Sequence, residues 1–174
     1  MTLKIALSQD FYLLEVFREQ IRELKQGIRN MKISMENLES VRDHATRKQP
    51  GECCGCIVET FENHPSGEEY FIYECNNAAE NKEEEFLIEV TEYVSAEQHG
   101  EVVGIYHSHL QKYEEFSEAD KTLSKKLELY SLLYILGKEK FLLLDPFKNE
   151  IKEIKYDPSK KRPKSKDSRA IVSP

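Results

Sequence analysis

The stretch Val102-Val-Gly-Ile-Tyr106-His107-Ser-His109-Leu-Gln-Lys-Tyr-Glu-Glu-Phe-Ser117-Glu-Ala-Asp120 carries fold and chemistry together. Its first part, Val102 to Tyr106, is an apolar run that predicts a strand. Side chains two apart on a strand point to one face, so the imidazoles of His107 and His109 can converge on one metal ion. Its last part predicts the start of a helix. Ser117 followed three residues later by Asp120 fits the Ser-x-x-acid capping pattern ahead of an amphipathic run, which places Asp120 in the first helical turn. Two histidines and one carboxylate leave a tetrahedral zinc with an open fourth position, the donor set of a hydrolytic rather than a structural site.

The segments around this stretch predict helices alternating with short strands. A helix is expected over about Met35 to Arg47, with Leu38, Val41 and Ala45 on one face, ending before Pro50. Strands are expected over Cys54 to Phe61 and Glu69 to Cys75, joined by the turn-forming Asn63-His-Pro-Ser-Gly67, in which His64 reads as a loop histidine. Phe86-Leu-Ile88 reads as the start of a strand, Glu89 to Gln98 as a helix, and His99 as a residue closing that helix rather than a ligand. After the helix from Ser117 to about Leu129, strands follow over Ser131 to Leu136, Lys140 to Leu144 and Ile151 to Tyr156.

The string His-Ser-His, seven residues, Ser, two residues, Asp resembles the JAMM (also called MPN-plus or JAB) metalloprotease motif at every defining position. That family also carries an upstream glutamate after a helix-to-strand turn. The segment His44-Ala-Thr-Arg-Lys-Gln-Pro-Gly-Glu52-Cys-Cys-Gly resembles this element, with Glu52 in the glutamate's place. The resemblance spans about residues 31 to 156. It implies an α/β sandwich built on a mixed sheet flanked by helices, with zinc held by His107, His109 and Asp120. It also implies Glu52 as the general acid-base residue and Ser117 as a donor to the oxyanion. Leu110 departs from the family, since many relatives have proline after the second histidine, and this bears on loop shape rather than on metal binding.

At 174 residues the chain is one domain with modest extensions. Residues 1–30 are expected to form a helical extension, 31–156 the metalloprotease domain, and 157–174 a disordered basic tail. In the extension, Leu14, Phe17, Ile21, Leu24 and Ile28 recur at helical spacing between charged residues. Such a stripe serves either packing on the domain's own surface or self-association. Residues 158–174 hold six basic residues against Asp167 alone, so the body ahead of them is more acidic than the whole-chain net charge of −7. An acidic body argues against nucleic acid as the main partner. No apolar run approaches the ~18 residues that span a bilayer. The first ten residues lack a signal-peptide pattern, so a cytoplasmic protein is expected. Cys53, Cys54, Cys56 and Cys75 fit a reducing compartment. Cys53 and Cys56 make a single C-x-x-C, and the strand they open favours small buried hydrophobes over a redox or zinc site.

The middle of the chain, Tyr73-Glu-Cys-Asn-Asn-Ala-Ala79 and Tyr93 to Val103, also resembles the JAMM half of phage tail-assembly proteins, where a cell-wall hydrolase half commonly follows. The chain is expected to lack such a half, so that wall cleavage would need a separate polypeptide. The expected function is a zinc metallopeptidase cutting a peptide or isopeptide bond of a small protein partner, a phage tail protein or a ubiquitin-like modifier. The alternative is a non-catalytic scaffold that binds partners through the same surface.

Overall fold

The structure is a computed structural model and describes residues 31–60, 69–110, 113–157 and 159. The helical extension expected over residues 1–30, the turn at 63–67 with His64, and the basic segment from residue 160 onward lie outside the described residues.

Helix α1 (Met35–Lys48) begins where Ser34 accepts a hydrogen bond from the Asn37 amide, a side-chain cap for one of the helix's unpaired N–H groups. Strands β1 (Cys54–Thr60) and β2 (Tyr70–Cys75) come next. Helix α2 (Val90–Glu97) leads into β3 (Gly100–His109), which ends on the two histidines. Helix α3 (Glu118–Leu127) is followed by β4 (Tyr130–Ile135), β5 (Lys140–Asp145) and β6 (Glu150–Ile154).

The six strands form one mixed sheet in the order β2-β1-β3-β4-β5-β6. Four of the five pairings are antiparallel, and β3–β4 is the parallel one. Parallel neighbours need a crossover of a dozen or more residues, normally a helix, and α3 supplies it. This crossover returns the chain beside the histidines at the C-terminal end of β3. The register sets His107 beside Cys54 on β1 and beside Leu133 on β4.

Alternation along β3 sends its two residue sets to opposite layers. Ile105, His107 and His109 share a face with Cys54, Cys56, Leu133, Ile135, Leu142 and Leu144, whose clusters include Ala96 of α2 and Phe116 before α3. Tyr106 and Ser108 face the other way, towards α1. There the Tyr106 hydroxyl lies 2.8 Å from His44 Nδ1. His44 is buried and also faces Glu74, which accepts two hydrogen bonds from Arg47. Burial pushes the His44 imidazole down to about 4, so it is neutral at physiological pH and satisfied by the tyrosine. All four cysteines are free and buried, as the strand reading of this segment expects.

Tyr106 fits only because Gly55 lies across from it on β1. A Cβ on Gly55 would sit 2.2 Å from the Tyr73 carbonyl oxygen and 2.4 Å from the Tyr106 ring. Backbone and a fully buried aromatic cannot both yield. Gly55→Ala should therefore destabilise the fold by about 3 kcal/mol, the upper part of the overpacking range. Urea unfolding would show a lower midpoint at unchanged slope; an unchanged midpoint would mean that the sheet relaxes around the methyl group.

One expected strand does not form. Residues 86–89 run without regular structure into α2. The physical reason is local: the Asn77 side chain takes the Glu85 carbonyl and the Leu87 amide. Those peptide groups are therefore spent on a side chain rather than on a ladder. Elsewhere the strand and helix ends shift from the expected positions by a residue or two.

Candidate metal centre

Three pieces of backbone deliver the residues of the centre. β3 presents His107 and His109 side by side, with their Nε2 atoms 3.2 Å apart. α3 presents Asp120 through its cap. Ser117 Oγ accepts from the Asp120 amide at 3.1 Å, and Asp120 Oδ2 accepts from the Ser117 amide at 2.8 Å and from its hydroxyl at 2.7 Å. This capping box fixes the carboxylate. Asp120 Oδ1 then lies 3.4 Å from His107 Nε2, and Oδ2 lies 3.7 Å from His109 Nε2. Glu52, two residues ahead of β1, is buried and places Oε1 3.9 Å from His109 Nε2.

These distances have a simple geometric meaning. Nitrogen and oxygen ligands about 2.0–2.1 Å from one tetrahedral zinc stand roughly 3.3 Å from each other. The Nε2–Nε2 distance of 3.2 Å and the His107–Asp120 distance of 3.4 Å are close to that spacing, and the His109–Asp120 approach of 3.7 Å is somewhat wider. Among the described residues, His107, His109 and Asp120 are the buried group able to hold a metal ion. The donor set of two imidazoles and one carboxylate suits a borderline cation such as zinc; calcium and magnesium prefer all-oxygen shells.

Aromatic rings pack against both imidazoles. Phe86 stacks on His107 with ring centroids 4.5 Å apart and planes 23° from parallel. Phe116 lies against the same ring and Tyr113 against His109. His107 Nδ1 is buried without a hydrogen-bond partner among the described residues. Metal-ligating histidines usually donate that N–H to a carboxylate or carbonyl, so Phe86 takes over the work of orientation here.

The electrostatics separate the acids. Burial pushes the Glu52 carboxyl up to about 8, helped by the negative charges of Asp120, Glu84 and Glu85. Burial also acts to raise Asp120, but hydrogen bonding and charge from His107, with the Ser117 contacts, outweigh it and hold that carboxylate well below the usual range. Burial, with His107 beside it, pushes His109 down to about 4. Without a cation, neutral pH thus finds Asp120 ionised, His109 neutral and Glu52 protonated. A nearby divalent charge reverses this logic for Glu52, favouring the carboxylate that can take a proton.

The family of prokaryotic homologs of the JAB domain matches residues 35–145 of this sequence, from the first residue of α1 to the last of β5. The chain belongs to the prokaryotic JAB family. Within that family span lie all five residues singled out from the sequence: Glu52, His107, His109, Ser117 and Asp120. Tail tip assembly protein K of Escherichia phage N15 is 33% identical over 86 residues, 49% of this chain. The matched stretch spans about a third (33%) of that relative's length. The JAB fold is shared with a protein of Desulfitobacterium hafniense whose solution structure superposes with a TM-score of 0.50 at 21% identity, covering 70% of this chain and 88% of that one. A JAB1/MPN domain protein from Archaeoglobus fulgidus is 20% identical with a TM-score of 0.45, over 73% of this chain and 97% of that one. No helix among the described residues of this JAB domain is long and apolar enough to cross a membrane.

The sequence motif picks out the five polar residues but neither Phe86 nor Asn77. Phe86 sits in an apolar triplet that imitates a strand start, and Asn77 in a polar run where asparagine ordinarily marks a turn. An aromatic residue isolated at the end of the acidic run Glu83-Glu84-Glu85 was the available signal.

Proposed function

We propose that this JAB domain is a zinc-dependent peptidase or isopeptidase, with His107, His109 and Asp120 as metal ligands and Glu52 as the general acid-base residue. The observation that carries this reading is the convergence of two buried imidazoles and a carboxylate, with ligand atoms 3.2, 3.4 and 3.7 Å apart, and a buried, separate carboxyl beside them. A structural zinc site would use four protein ligands, and this one leaves a position open.

Zinc bound here supplies Lewis-acid polarisation of the scissile carbonyl and lowers the pKa of water towards ~7. The chain's own groups do the rest. Glu52 accepts the proton of the attacking water as the new C–O bond forms, then hands it to the amide nitrogen as the C–N bond breaks. The Ser117 hydroxyl, exposed at the mouth of the site, donates to the developing oxyanion. One hydroxyl proton serves one acceptor at a time, so Ser117 Oγ must release Asp120 Oδ2 to do this. The Ser117 amide keeps that carboxylate oxygen in place meanwhile. Phe86 and Phe116 shield His107 from water.

Ser117→Ala should cost about 1 kcal/mol of stability through the lost cap. It should also weaken zinc binding roughly 10-fold, as loss of a contact supporting a ligand does. Denaturant melts with and without zinc, together with chelator competition, measure both; no change in either would remove Ser117 from the site.

The substrate is a protein partner, and the likeness to a tail tip assembly protein favours a phage tail component over a ubiquitin-like modifier. Acidic residues line both sides of the centre, Glu83 to Glu85 on one loop and Glu114 and Glu115 on the other, all exposed. A basic partner surface fits them, with binding that weakens as salt rises. Capture with the Glu52→Gln variant followed by mass spectrometry tests this. A basic tail protein eluted by salt supports the assembly reading, whereas a modifier ending in glycine redirects it to deconjugation. Salt-insensitive capture of acidic proteins alone contradicts the docking surface.

A further inference from the structure

Asn77 makes four hydrogen bonds with one side chain, and all four go to backbone. Nδ2 donates to the Glu52 carbonyl at 3.1 Å and to the Glu85 carbonyl at 2.8 Å. Oδ1 accepts from the Ala79 amide at 3.0 Å and from the Leu87 amide at 3.1 Å. Two carbonyls on one end and two amides on the other use the whole capacity of a carboxamide and leave a single orientation for it. The partners matter more than their number. The Glu85 carbonyl and the Leu87 amide are the peptide groups on either side of Phe86, whose ring stacks on His107. The Glu52 carbonyl belongs to the residue whose carboxyl faces His109. The Glu52 amide is held by the same loop, through the Lys82 carbonyl.

We propose that Asn77 is a positioning residue of this centre: its one amide group ties the Glu52 peptide to the peptides flanking Phe86, so that the carboxyl and the ring against His107 move as a unit. This rests on the reading of Glu52 as the proton-transfer group. Displacing a catalytic carboxyl by about 1 Å can cost on the order of 100-fold in rate, and nothing else among the described contacts grips the Glu52 carbonyl. Loss of Asn77 should lower kcat while leaving KM nearly unchanged, because the residue acts on chemistry and not on docking.

Hydrogen exchange on the full chain, read by mass spectrometry, tests the tie without metal or substrate. In Asn77→Ala, amides of residues 51–53 and 78–87 should exchange faster together, by about tenfold, while α1 and β4–β5 stay as protected as before. Asn77→Asp keeps the acceptor but loses both donated bonds, and it provides the same comparison if the alanine variant does not fold. Faster exchange confined to 78–87, with 51–53 unchanged, would reduce Asn77 to a loop staple and overturn the proposal. The kinetic arm uses the partner recovered by capture. The kcat loss from Asn77→Ala should vanish in a Glu52→Gln background, and a full additional loss there would also overturn it. Failure of the Glu52 assignment would show separately, in that variant's own rate, and the exchange result would still decide whether the tie exists.

Discussion

Glu52→Gln should leave the fold and zinc uptake intact and lower the rate of amide hydrolysis by about 10²–10⁴-fold, the usual contribution of a positioned acid-base group. The fold survives because what holds Glu52 in place is its backbone, through Lys82 and Asn77, and not its side chain. The exchange is also isosteric, and it replaces a carboxyl that burial already keeps protonated in the absence of a cation. Zinc uptake survives because three other side chains supply the ligands. Turnover does not survive, because an amide cannot accept the proton of the attacking water. Rate measurements on the captured partner, alongside zinc content, separate these effects. Near-wild-type turnover would make Glu52 a buried turn residue and nothing more.

His107→Ala and Asp120→Ala should each lower zinc affinity by well over the ~100-fold that loss of a supporting contact costs. Either change leaves two protein ligands where a catalytic zinc needs three. Asp120→Ala carries a second penalty, because it breaks the capping box and leaves the Ser117 amide without its acceptor; about 1 kcal/mol of stability should go with it. Chelator competition measures the affinities and a denaturant melt the stability. Wild-type affinity in both variants would place any zinc elsewhere.

The parts of this centre that the sequence reveals are the ones set by local periodicity. His107 and His109 share a face because strands alternate, and Asp120 is positioned by a cap on a residue three positions earlier; neither needs knowledge of the tertiary fold. Glu52 is different. Its approach depends on the antiparallel pairing of β1 with β3, which sets Cys54 beside His107, and only the family resemblance pointed to it in advance. The mixed sheet was legible for a similar reason, since alternating helices and short strands leave few ways to bury every apolar face. The sequence misplaces Phe86 because Phe86-Leu-Ile88 has the composition of a strand, while its conformation is decided by bonds from a side chain nine residues earlier. Asn77 was invisible because its meaning lies in contacts to residues 25 positions before it and up to 10 after it. Composition cannot report a hydrogen-bonded hub of this kind.

The central claim is that one metal ion sits among His107, His109 and Asp120. Anomalous diffraction at the zinc absorption edge, from crystals of the full chain grown with zinc, tests it most directly. The account predicts a single strong peak within about 2.0–2.2 Å of both Nε2 atoms and one Asp120 oxygen, with no fourth protein ligand. A peak at the Cys53–Cys56 segment instead, or none at the histidines under saturating zinc, would contradict it.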